Sequence, residues 1–399
     1  MPPARGALKV VKSIKVDGDV YASPIAVNGV IVVATENDSV YGFSRQGRQL
    51  WHVRVGKPSP AFERDCGNID PLGITGTPIY SAQTGDVYVV AEHSGKVGHD
   101  LIALALRTGK VQWRRNIDLP GPTPAAMQQR GALAITGGRV WVSFGAQFGD
   151  CSNYRGRVVG ARLDGTGKLV KYDPSTHRQG GIWNPAGPTV DPAGHLYVVS
   201  ANGSTFPGDA YDHTNSVLKL STAGKLDDSF APANWAQNNA ADVGLGSQGV
   251  ALVGRKWAVL GGKSGPVYVL RQRHLGGIGG QVSVRNVCLS FGGSAVNGSV
   301  VYLPCTDGIR AVRIDPAGKL HVLWRASTSV AGSPVIGGGR VWALDQIAGV
   351  LHALNPETGK SVAHVSVGET SRFATPAIYG NLLLVPTLGR VVLVRTSGT

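Results

Sequence analysis

Eight times along the 399-residue chain a tight turn is followed by a run of β-branched or aromatic residues. The turns fall at Asn28-Gly29, Thr84-Gly85, Gly137-Gly138, Ala193-Gly194, Gly254-Arg255, Asn297-Gly298, Gly338-Gly339 and Tyr379-Gly380. The runs after them read VIVVAT, DVYVVA, RVWVSF, HLYVVS, KWAVLG, SVVYLP, RVWALD and NLLLVP. Copies of one hairpin at spacings of roughly 40 to 60 residues mark a repeat architecture. In several copies a second Gly turn leads into a further strand, as in FSRQGRQLWHV, ALRTGKVQWRR and LNPETGKSVAHV. Four strands per copy make a propeller blade. The expected fold is therefore all-β, an eight-bladed propeller of four-stranded antiparallel blades, with residues 1–399 as one domain.

The eighth copy stops after three strands, and Gly6 to Ile14 (GALKVVKSI) reads as a fourth strand with no preceding three. Pairing the two completes a blade and removes the open edge of the ring. Trp51, Trp113 and Trp324 in outer-strand positions, and Trp141, Trp257 and Trp342 in second-strand positions, are expected to pack between blades. In such a meander the interblade loops and the loops joining second to third strands share one face. The long insertions Lys57–Ile74, Gly145–Arg157, Asp173–Pro185, Gly203–Asn215 and Ala231–Gln248 all fall there, and that face is where a site belongs.

Hydrophobic residues at 42% and charged residues at 16% suit a large core and exclude disorder. No apolar run reaches the roughly 18 residues of a membrane span. The opening MPPARGALKV lacks the apolar core of a signal peptide, so an exported protein is expected to have lost its signal before this point. The formal charge of +14 favours polyanionic partners, such as an anionic envelope polymer or an acidic protein. The basic residues are scattered, with no aromatic-interleaved run, which argues against nucleic acid; a monomer is expected. Cys66, Cys151, Cys288 and Cys305 have neither zinc-like nor haem-attachment spacing. Cys288 and Cys305 flank the Asn297-Gly298 hairpin almost symmetrically, while Cys66 and Cys151 both sit in long loops of the site face. Two disulfides are expected, Cys288 with Cys305 and Cys66 with Cys151, implying an oxidising extracellular or periplasmic compartment.

Segments such as GITGTPIY, LIALALRTGKVQW and LHALNPETGK resemble blades of the pyrroloquinoline-quinone (PQQ)-like eight-bladed propeller superfamily, which includes quinoprotein alcohol dehydrogenases and non-enzymatic members such as the assembly lipoprotein BamB. The resemblance to the dehydrogenases implies several site roles. Trp183, in Gly180-Gly181-Ile182-Trp183, would stack under the quinone. Asn202, in Ser200-Ala201-Asn202-Gly203-Ser204, would ligate calcium, and Lys263 would contact the quinone oxygens. In Gly145-Ala146-Gln147-Phe148-Gly149, Gln147 stands where the calcium-binding Glu is expected, and an amide brings no charge. The catalytic Asp would fall at Val243 or Gly244, with Asp242 one or two positions away, and the vicinal cysteine pair is missing. Read from the residues alone, Trp183 can be a loop anchor, Asn202 a turn residue and Lys263 a solvated charge. The Asp209, Asp212 and His213 cluster reads as a cation site or as local turns.

Two functions stay open. One is an exported binding or scaffolding module with a degenerate quinone mouth, taking a protein or a small planar ligand. The other is a PQQ- and calcium-dependent dehydrogenase of alcohols or sugars, with Asp242 as its base.

Overall fold

The computed structural model describes residues 1–327 and 332–396. Each of the eight turns opens a hairpin, and each hairpin grows into a four-stranded antiparallel blade; the fourth also carries a two-residue parallel strand, Gly277–Ile278. Blade 1, which sets the pattern, runs Ile25–Val27, Val30–Ala34, Ser39–Ser44 and Gln49–Arg54 from the axis outward. Its second strand is wholly buried, because both faces of the sheet are covered by neighbouring blades. Outer strands alternate instead, as Val111–Asn116 does, since one side meets solvent. The core is divided among the seams. Trp51 joins residues of blades 1 and 2 in one apolar cluster, and comparable clusters join blades 2 and 3 and so on to blades 8 and 1.

The tryptophans lock these seams. The indole Nε1 of Trp51 donates to the carbonyl of Leu106 at 2.9 Å, that of Trp113 to Leu163 at 3.1 Å and that of Trp324 to Pro356 at 2.9 Å. Each acceptor lies in the outer turn of the following blade. The ring covers a glycine of that turn, Gly109, Gly165 or Gly359, where φ is near +70° and a Cβ would collide with the indole. Trp141, Trp257 and Trp342 fill three other seams from second strands, as expected.

The ring closes as the sequence implied. Leu8–Lys15 pairs antiparallel with Arg390–Thr396, from Leu8 opposite Thr396 to Lys15 opposite Arg390, and completes the eighth blade. Both disulfides form, Cys66 with Cys151 and Cys288 with Cys305. The first ties the insertion before blade 2 to the insertion within blade 3. The second joins the segment entering blade 6 to that blade's second strand. No helix of the described residues is long and apolar enough to cross a membrane.

Candidate functional site

Backbone pairing brings the Trp183 and Asn202 segments side by side. Gly180 N donates to the Asn202 carbonyl at 2.7 Å, and Ala201 N donates to the Gly181 carbonyl at 2.8 Å. The insertion after blade 4, read from sequence as plain loop, folds into a short helix, Trp235–Ala240. That helix is held by side-chain amides. Asn239 Oδ1 accepts from Gly203 N at 3.0 Å and from Asn215 Nδ2 at 2.5 Å, while Asn239 Nδ2 donates to Thr214 Oγ1 at 2.9 Å. Just beyond the helix stands Asp242, in the left-handed region at φ 51°. Its Oδ1 accepts from Asn202 Nδ2 and lies 2.9 Å from Lys263 Nζ. Asn202, Asp242 and Lys263 therefore meet on the loop face, each from a different loop of blades 4 and 5.

Gln147 belongs to another network. It is buried, its Nε2 donates to the Met127 carbonyl at 3.0 Å and to Glu92 Oε2 at 3.3 Å, and its Oε1 faces Arg64 Nη1 at 3.5 Å. The Cys66–Cys151 bond fastens the two loops that carry Arg64 and Gln147. Trp183 is half-buried, and its ring meets Phe373, with centroids 6.2 Å apart. Asp209 and Asp212 make local turn bonds, to Phe206 N at 2.9 Å and to Thr214 N at 3.0 Å, and His213 Nδ1 lies 3.2 Å from Ser175 Oγ. Burial holds the His213 imidazole below its usual range.

Residues 9–147 match the family model of the outer membrane protein assembly factor BamB. Among solved structures, BamB from Moraxella catarrhalis is similar over 98% of this chain and 100% of that one, at 17% identity and a TM-score of 0.68. A europium-containing methanol dehydrogenase is similar over 97% of this chain and 93% of that one, at 13% identity and a TM-score of 0.71. The chain is an eight-bladed β-propeller. At these identities the two structures establish the fold alone. No curated protein matches the chain.

Whether the loop face of this propeller suits the quinone and calcium that the sequence resemblance implied depends on the donor set. Calcium sites gather several anionic or carbonyl oxygens. Here the amide oxygen of Gln147 already faces a guanidinium, and the carboxylate of Asp242 is held by an ammonium and an amide N–H. Among the described residues no group of three or more His, Cys, Asp or Glu side chains is arranged to hold a metal ion. The donors do not fit calcium. One atom runs the other way: Asn202 Oδ1 is buried without a hydrogen-bond partner, against the backbone at Gly244.

Sequence reading missed two further groups on this face. Glu36, Asp38 and Glu92 lie buried under the insertion before blade 2, where Gly73 N donates to Glu36 Oε2 at 2.9 Å. Burial pushes the Glu36 carboxyl up to about 7 and the Asp38 carboxyl up to about 8. Beside Glu92, His99 sits 2.8 Å from Asp118; burial opposes its charge, but the hydrogen bonds to Asp118 and Glu92 raise it to about 10. The second group is axial: Tyr21, Arg130, Phe291, Arg372 and Phe373. Its signal was present in the repeats, because Tyr21-Ala-Ser-Pro and Phe373-Ala-Thr-Pro place an aromatic three residues before the proline that enters an inner strand.

Proposed function

We propose that residues 1–399 act as one exported binding or scaffolding module whose contact surface is the loop face around a degenerate quinone mouth. The observation that carries this reading is the Asn202–Asp242–Lys263 contact. The one carboxylate near the expected catalytic position is engaged by the very lysine and asparagine that a quinone and a calcium ion would need. A general base must be free to reach a substrate proton, and an amide such as Gln147 has no useful proton affinity near neutrality. The match to the model of an outer membrane assembly factor supports a protein as partner, and the charge of +14 supports an acidic protein or an anionic envelope polymer. The two disulfides support an oxidising compartment, periplasmic or extracellular.

The competing reading is a dehydrogenase of alcohols or sugars that uses PQQ and calcium. It is favoured by the unpartnered Asn202 Oδ1 and by the pairing of the Trp183 segment with the Asn202 segment. Protein mixed with PQQ and calcium and then desalted decides between them. The binding-module reading expects no retained cofactor by absorbance or native mass spectrometry, and no dye reduction with ethanol or glucose. Cofactor-dependent dye reduction that Trp183→Ala abolishes would promote the enzyme.

A further inference from the structure

Blades 3 and 7 begin their second strands alike, with Gly137-Gly138-Arg139-Val140-Trp141 in one and Gly338-Gly339-Arg340-Val341-Trp342 in the other. Both indoles turn back on their own hairpins, Trp141 Nε1 donating to the Thr136 carbonyl at 3.1 Å and Trp342 Nε1 to the Gly337 carbonyl at 3.0 Å. What lies outside them differs. In blade 3, Val170 of the outer strand stands opposite Gly160, and Arg139 Nη1 lies 3.4 Å from the carbonyls of Gly160 and Lys168. The turn at 221–225 of blade 4 packs over this seam, so closely that a Cβ on Gly224 would come 3.1 Å from the Lys171 carbonyl.

The seam between blades 7 and 8 is built with less. Trp51, Trp113 and Trp324 stand opposite Gly42, Ala103 and Ala311, each at the edge of a bulge in the outer ladder of its blade. At the same register of blade 7, beside the same bulge, Ala363 stands opposite Ala353. The turn that each of those indoles covers has no counterpart here either. The third and fourth strands of blade 8, Arg390–Thr396 and Leu8–Lys15, are not consecutive in the chain, so no tight turn joins them. Between the two blades lies a cavity of about 430 Å³, walled by Trp342, Ala353 and Ala363 on one side and by Gly6, Ala7 and Leu8 on the other.

The walls and the rim of this cavity define a ligand chemistry. A volume within roughly 300–1,000 Å³, with apolar and aromatic sides, is that of a small-molecule pocket. The indoles at the same register in three other seams show that a flat ring suits the position. Arg340 also lines the cavity, on the same face of its strand as Trp342 two residues on. Its Nη1 donates to the carbonyl of its neighbour Gly339 at 2.9 Å, and among the described residues no carboxylate forms an ion pair with it. A guanidinium carries five N–H donors, so the fork of Arg340 keeps the means to take a carboxylate. The start of one second strand and the end of one third strand border the cavity, which sets it on the turn side of the ring, away from the loop face.

We propose that the seam between blades 7 and 8 is a binding site for a small aromatic acid, with its ring seated between Trp342 and Ala363 and its carboxylate on Arg340. The site is additional to the loop face and does not depend on the function given to that face. Calorimetric titration of the full chain with indole-3-acetate, backed by ligand-observed NMR at about 1 mM, tests it. Arg340→Gln is expected to weaken binding roughly tenfold, the loss of about one charged hydrogen bond. Arg139→Gln, the same change in the twin blade, should leave the affinity as it is. Ala363→Trp supplies a ring from the chain itself, and should abolish binding and raise the melting temperature. Silence of the unmodified protein in both measurements overturns the proposal. So does an equal loss in Arg139→Gln, which would reduce the effect to net charge, and so does undiminished binding by Ala363→Trp, which would put the ligand elsewhere, the loop mouth included. Should Ala363→Trp fold poorly, Arg340→Gln decides alone, since Arg340 is only half-buried and unchanged affinity in that variant overturns the site.

Discussion

Over blades 1 and 2, Glu36, Asp38 and Glu92 are buried, and both oxygens of Asp38 and Oε1 of each glutamate have no hydrogen-bond partner. Over blades 4 and 5, Asp242 has a side chain 71% exposed and yet holds two donors. The insertions make the difference. Lys57–Ile74 lies flat across its blades, so closely that a Cβ on Gly73 would strike the Glu36 carbonyl and Asp38. The 231–248 insertion coils into a helix on its own amide network and leaves Asp242 at the rim. The seams beneath differ as well. Blades 1 and 2 are locked by an outer-strand indole, whereas blades 4 and 5 are joined by the Tyr197 hydroxyl, which donates to the Gln272 carbonyl at 3.0 Å. Burial turns the first sector into a question of stability and pH, and exposure turns the second into a question of recognition.

The largest effect should come from the indole lock. Trp51→Ala removes a nearly buried side chain and a buried hydrogen bond, and is expected to cost about 3–5 kcal/mol. Tyr197→Phe, which spares the packing of the other seam, should cost only about 1 kcal/mol. Denaturant unfolding of the two variants side by side checks the contrast, and equal losses would erase it.

The next effect is of pH. Glu36 and Asp38 have folded-state values raised to about 7 and 8, so the folded chain keeps protons that the unfolded chain releases. Their contribution is complete below the ordinary carboxylate range and is lost as pH rises through 7 and 8. His99, raised to about 10, acts in the same direction at higher pH. Asp118 and Asp173 oppose it only in acid: burial disfavours their charge, but contacts with His99 and with Arg157 and Lys171 outweigh it and lower both, so their contribution is lost as pH falls below the usual range. The melting temperature should therefore decline from pH 5 to pH 9. Glu36→Gln with Asp38→Asn should flatten the decline and make the variant the more stable protein at pH 9. A wild-type melting temperature that rises over this interval would contradict the burial argument.

The smallest effect belongs to the exposed triad. Asp242→Asn breaks an ion pair in solvent and should change stability by less than about 1 kcal/mol in denaturant unfolding. A loss as large as that of Trp51→Ala would place Asp242 with the buried sector.

Much of this was legible because it is local. Asn-Gly and Gly-Gly turns before β-branched runs locate the hairpins, the orphan strand at 6–14 announces closure, and cysteines on one face pair with each other. What was hidden depends on distance or on polar chemistry without a period. Arg130 and Arg372 are 242 positions apart and meet only because the ring brings the segments entering blades 3 and 8 to one axis. The helix WAQNNA has no apolar periodicity; Trp235 and Ala236 bury against Ala231 and Tyr211, and side-chain hydrogen bonds of Asn239 to Gly203, Thr214 and Asn215 hold the rest. Gln147 is legible in sequence as the residue that replaces the expected Glu, but Arg64, which its oxygen faces, comes from an insertion outside that segment.

The strand that seals the eighth blade has an unusual place in time. Leu8–Lys15 is made hundreds of residues before its partner Arg390–Thr396. Seven blades can therefore assemble while the first strand waits, and the ring stays an open arc with two bare sheet edges until Arg390–Thr396 arrives. The longest closure in the ring is also its final one, so the fold carries its own signal of completion: only a chain that has made its eighth blade has no propeller edge left to offer.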